Sequence, residues 1–75
     1  MKSVTKILKS DFGKTLCELM REKGMTQTDV AVATGYTQRA VSKWINGQAE
    51  PSAVAIIRCA KFFEVSTDYI LGLEE

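Results

Sequence analysis

Apolar residues in this chain recur at steps of three and four and nowhere alternate over a useful length, so the pattern predicts helices and no sheet. Phe12, Leu16, Leu19 and Met20 share one side of a first helix, with Ser10 as its cap and Lys23 and Gly24 at its close. Thr26, followed three residues later by Asp29, opens a second, short helix as a capping pair. Its apolar side is Val30 and Ala31, and Gly35 ends it in the left-handed conformation. After only Gly35 and Tyr36, Thr37 caps a third helix, which buries Val41 and Trp44 and stops at Asn46 and Gly47. Pro51 and Ser52 announce a fourth helix, whose Val54, Ile56, Ile57, Ala60, Phe62 and Phe63 make it the expected centre of packing. Ser66 caps a last helix through Tyr69, Ile70 and Leu71. The pattern therefore predicts an all-α, compact five-helix domain over residues 11–73, preceded by a basic arm over residues 1–10.

The third helix carries the most informative surface. Successive helix residues turn by about 100°, so with Val41 as origin, Thr37, Ala40, Trp44 and Ile45 cluster around it. Gln38, Ser42, Asn46, Arg39 and Lys43 fall opposite, across an arc of about 140°. A solvated helix face is the ordinary reading of such a row. Two short helices joined by a tight, glycine-containing turn point elsewhere, because that is the helix-turn-helix arrangement, whose second helix enters the DNA major groove. The residue types agree: Gln bonds adenine through N6 and N7, and Arg bonds guanine bidentately through O6 and N7.

Charge supports this through its distribution. The 75 residues carry a net charge of only +1. Between Asp29 and Glu50 there is no carboxylate, whereas Arg39 and Lys43 lie inside that window. Lys2, Lys6, Lys9 and Lys14 are set against Asp11 alone near the start, and Glu64, Asp68, Glu74 and Glu75 gather at the other end. The window is a segment from which repulsion of a polyanion has been removed.

Other classes find little support. No apolar run approaches the roughly 18 residues that span a bilayer, and the start leads into no apolar leader, so a cytoplasmic, nucleoid-associated protein without membrane contact is expected. There is no histidine, and Cys17 and Cys59 are far apart, so no metal or other cofactor is expected and both thiols are read as reduced and buried. With no base beside either thiol, no glycine-rich phosphate loop and no carboxylate pair, an enzyme is not expected.

The ordered set Thr26-Gln27-Thr28-Asp29-Val30-Ala31, Gly35, Thr37, Val41-Ser42-Lys43-Trp44, Asn46-Gly47, Pro51-Ser52 and Ser66-Thr67-Asp68-Tyr69-Ile70-Leu71-Gly72 resembles the lambda-repressor-like family, from about Phe12 to Gly72 without gaps. The resemblance implies a transcriptional regulator, read here as a repressor, whose helices 2 and 3 bind double-stranded DNA, usually as a homodimer on an inverted-repeat operator. It implies that Gln27 contacts phosphate and braces Gln38. Thr37, Gln38, Arg39, Ser42 and Lys43 would face bases or flanking phosphates, with Asn46 on the far phosphate. Val30, Ala31, Val41, Trp44, Ile56, Ile57 and Phe63 match core positions.

Two departures stand out. Many family members pair an Arg late in helix 1 with a Glu before the Asn-Gly pair; here those places are Met20 and Ile45, which are expected to pack together. Gln48, Ala49 and Glu50 replace basic residues in the following loop, leaving fewer phosphate contacts. Tyr69, Ile70, Leu71 and Leu73 are the candidate dimer contact, unless the first three merely close the core. The competing function is a protein-interaction module or antitoxin-like subunit on the same scaffold, because fold does not settle function.

Overall fold

A computed structural model describes residues 11–73, and the basic arm over residues 1–10, with the Ser10 cap, lies outside them. Five helices follow in order: α1 Phe12–Lys23, α2 Gln27–Thr34, α3 Gln38–Ile45, α4 Ala53–Phe63 and α5 Thr67–Ile70. Among the described residues there is no strand, as the absence of alternation requires.

The helices begin where short polar side chains satisfy free backbone amides. Thr26 accepts from the amide of Asp29 at 3.1 Å while the Asp29 carboxylate accepts from the amide of Thr26 at 2.9 Å, a complete capping box. Thr37, Ser52 and Ser66 cap α3, α4 and α5 in the simpler way, each through its hydroxyl oxygen. At the start of α1 the cap position is Asp11, whose side chain makes no capping bond.

All five helices end alike. The amides of Met25, Tyr36, Gln48, Val65 and Leu73 each reach back five residues to the carbonyls of Met20, Ala31, Lys43, Ala60 and Asp68. Such a closure places one left-handed residue after the helix. That residue is Gly24, Gly35, Gly47 and Gly72 in four cases and Glu64, at φ 58°, after α4.

Phe12, Leu16, Leu19 and Met20 of α1 bury against Val30 and Ala31 of α2, Val41 and Trp44 of α3, four residues of α4, and Ile70 of α5. The α4 stripe is Ala55, Cys59, Ala60 and Phe63, with Ile56 and Phe62 half-buried. Val54 is 51% exposed, and Ile57, expected at a core position, is 46% exposed. The reason is rotational: Ile57 lies about 200° around the helix from Ala55, so a stripe through Ala55, Cys59 and Phe63 leaves it outside. Cys59 is buried as expected, but Cys17 is only half-buried.

The tightest approach is between α1 and α3. A Cβ on Gly13 would lie inside contact distance of the Trp44 carbonyl oxygen and 3.1 Å from the Ile45 Cα. Those neighbours are backbone and cannot swing away. Met20 is buried and Ile45 packs half-buried against the same cluster, so the places that hold an ion pair in many family members here belong to the apolar core.

Replacing Gly13 with Ala should therefore cost about 1 to 3 kcal/mol through overpacking, against the gain of up to about 1 kcal/mol that Ala brings to an unobstructed helix. A urea midpoint at or above wild type would show that the two backbones are not in contact. The reverse sign holds at the end of α4. Glu64→Gly should raise stability by about 0.5 to 1 kcal/mol, since a left-handed L-residue costs about 1 to 2 kcal/mol and glycine's extra unfolded-state entropy returns part of that. A lowered midpoint for Glu64→Gly would mean that the Glu64 side chain contributes more than its backbone costs.

Candidate nucleic-acid interface

The paired start of α2 and α3 assembles the polar row. Gln27 is the first residue of α2 and Gln38 the first of α3. The short turn between the helices brings them together, and Gln38 Nε2 donates to Gln27 Oε1 at 2.5 Å. This fixes the Gln38 amide with one N–H directed at Gln27, leaving its second N–H and its carbonyl oxygen for another partner.

Along α3, Val41 and Trp44 are buried while Gln38, Arg39 and Lys43 are exposed. The amphipathic division expected from the sequence is present. Trp44 is held edge-on by Phe12 at 5.7 Å and by Tyr36 at 5.2 Å, so it is a core residue and not a stacking platform. Asn46 Nδ2 donates to the Ser42 hydroxyl at 3.4 Å, a long bond that groups these two at the C-terminal end of the face. Thr37 spends its hydroxyl oxygen on the Ala40 amide at 3.1 Å, and its O–H proton remains a donor.

The electrostatics follow from what is missing and what is tied. The first turn of α3 holds no acid, and Lys43 stands in its last turn. Asp29, the nearest acid before it in sequence, has its carboxylate engaged in the α2 capping box. The side chains of Arg39 and Lys43 make no hydrogen bond or ion pair among the described residues and are available to an anion. Phosphate or base edges fit this row; nucleophilic chemistry does not. Burial pushes the Cys59 thiol up to about 11 from 9.0, which keeps it protonated and inert. No cluster of metal-ligating side chains occurs among the described residues, nor any helix long and apolar enough to cross a membrane.

The other predicted surface is divided. Ile70 is fully buried and closes the core, and Leu71 packs half-buried against it. Tyr69 and Leu73 remain open at 38% and 60% exposure. Sequence reasoning missed Arg58, which donates through Nη1 to the Thr34 carbonyl at 3.1 Å, and the bond between the Tyr36 hydroxyl and Ser52 Oγ at 3.3 Å. Neither carries a sequence signal, because both depend on how α4 crosses the turn.

A family model for helix-turn-helix domains matches residues 18–70. The chain belongs to the helix-turn-helix family, and the five helices of its described residues have the lambda-repressor-like fold. It is 32% identical over 65 residues to the HTH-type transcriptional activator BcrR of Enterococcus faecalis, a match covering 87% of this chain and 32% of that protein. The chain thus spans about a third of that relative's length. Among solved structures it is similar to the restriction-modification controller protein C.AhdI of Aeromonas hydrophila, with a TM-score of 0.75 and 27% identity over 88% of this chain and 97% of that one. The P22 c2 repressor, solved with a synthetic operator, shares the fold at a TM-score of 0.78 and 21% identity, covering 84% of this chain and 96% of that one.

The raised Cys59 pKa has a consequence for stability. The unfolded thiol ionises first, so the stabilisation is complete below pH 9 and is lost as pH rises from 9.0 through about 11. The wild type should lose more stability over that window than Cys59→Ala does, as followed by urea denaturation at each pH. Parallel pH profiles for the two proteins would contradict the assignment.

Proposed function

We propose that this protein binds specific double-stranded DNA by seating α3 in the major groove and thereby regulates transcription. One observation carries the reading: Gln38, Arg39 and Lys43 are exposed on α3 while Val41 and Trp44 anchor its other side. Gln38 and Arg39 stand in the first turn, the part of a groove helix that reaches base edges. Their amide and guanidinium match adenine and guanine edges, and Lys43, one turn on, reaches a base or a phosphate. Gln27, braced on Gln38, and the Ser42 and Asn46 pair flank this row as backbone contacts, with Thr37 at its head.

Repression is the sign we assign, because a protein seated in a promoter groove blocks polymerase by occupancy alone. Activation in the relative BcrR belongs to a protein of which the match covers 32%. We further propose a homodimer through Tyr69 and Leu73, with Ile70 and Leu71 supporting them from beneath. Two-fold symmetry would set half-sites about 34 Å apart on an inverted repeat. The exposed Val32, Val54 and Ile57 favour a second reading, in which the scaffold binds a protein partner.

Selection of binding sites from random duplexes tests these readings together. The wild type should enrich a palindrome and lose affinity as salt rises, whereas an apolar protein interface would hold. Arg39→Ala should cost about 1 to 3 kcal/mol on the selected site and relax preference at one base pair. Lys43→Ala should either relax a second base pair or weaken all sequences alike, the latter marking a phosphate contact. Identical sequence preference in wild type and both variants would reject base readout by α3.

A further inference from the structure

Arg58, on α4, spans the turn that joins α2 to α3. Its Nη1 donates to the carbonyl of Thr34, the last residue of α2, at 3.1 Å. Its guanidinium carbon lies 5.8 Å from the centre of the Tyr36 ring. It also lies close to the turn at Gly35, where a Cβ would be 3.2 Å from Nη1. Tyr36, the residue before the α3 cap, is held on two more sides. Its ring meets Trp44 edge-on at 5.2 Å, and its hydroxyl shares a hydrogen bond at 3.3 Å with Ser52, the cap of α4.

We propose that Arg58 is a positioning residue for DNA reading, fixing the direction in which α3 leaves α2 without touching DNA itself. The proposal rests on the assignment of α3 as the groove helix. A cation at the C-terminus of α2 is favoured by the helix dipole and by the free carbonyl there. A planar guanidinium can donate in its own plane and still present a face to an aromatic ring, whereas the compact ammonium of lysine cannot do both.

Orientation matters here because α3 is short and its reading residues stand at its very start. Helix α3 has eight residues and only Val41 and Trp44 are buried. Gln38 and Arg39 lie on the N-terminal side of both, next to the turn that Arg58 braces. Bidentate base contacts need placement within about 0.5 Å and 10 to 20°. Phosphate contacts from a flexible Lys or Arg tolerate more. Loosening the turn should therefore lower specific binding more than non-specific binding.

The test uses the full chain, a duplex recovered by selection and an unrelated duplex of equal length, far below each variant's unfolding midpoint and across a salt series. Arg58→Met and Arg58→Lys should each lose about tenfold on the selected duplex, the worth of one hydrogen bond to a charged group. Affinity for the unrelated duplex and the slope of log K against log salt should stay at wild type. Arg58→Met should also change the near-ultraviolet circular dichroism of Trp44 in the free protein, and Arg58→Met with Tyr36→Leu should do no more harm than the worse single change. Equal loss on both duplexes, a salt slope reduced by about one, full activity in Arg58→Lys, or wild-type affinity in Arg58→Met would each overturn the proposal. If the wild type binds no duplex, the groove-helix assignment fails; an unchanged Trp44 spectrum in Arg58→Met overturns the brace independently of DNA.

Discussion

The seating of Trp44 is the constraint on which the rest of the molecule depends. A helix of eight residues has no independent stability in water and exists because one side of it is buried. Trp44 is the larger of its two buried side chains, gripped by Phe12 from α1 and by Tyr36 from the turn. The grip is possible because Gly13 lets the α1 backbone come against the Trp44 carbonyl. Once Val41 and Trp44 face inward, the helical repeat leaves Gln38, Arg39 and Lys43 no place but the outside. Core packing and the candidate interface are therefore two sides of one fact about α3.

Much of this was legible in the residues. Thr26, Thr37, Ser52 and Ser66 declare four helix starts, and Gly24, Gly35 and Gly47 declare three ends, because caps and left-handed stops are local chemistry. The end of α4 was not visible, since Glu64 takes a conformation that its type does not announce. The start of α1 fell on Asp11 without a capping bond, where the sequence pointed to Ser10. Hydrophobicity and the family resemblance both point to Ile57 as core, and only the phase of α4 against its neighbours places it outside.

The polar row was legible for the same reason as the caps, because a wheel needs only the helical repeat. What held the row in place was not. The Gln27 to Gln38 bond was expected through resemblance, but the Arg58 brace and the Tyr36 to Ser52 bond join residues 24 and 16 positions apart. Sequence spacing carries no information about such crossings. The apolar places of Met20 and Ile45 make a similar point from the other side. Losing both partners of an interhelical ion pair together leaves no stranded charge, which if buried would cost about 3 to 5 kcal/mol, and the space joins the core.

The small net charge of the domain bears on how binding strength and selectivity would divide. A net charge of +1 gives little overall attraction to a polyanion, and Gln48, Ala49 and Glu50 leave the loop after α3 without a cation to release counterions from the phosphate backbone. Weak electrostatic attachment lowers affinity for all sequences alike and leaves discrimination to base-edge contacts. Those contacts are geometric, and a domain that relies on them has more to lose from a tilted helix than a strongly basic one has. Short helices, a closely packed Trp44 and a turn spanned by an arginine from α4 are the features that such reliance on geometry requires.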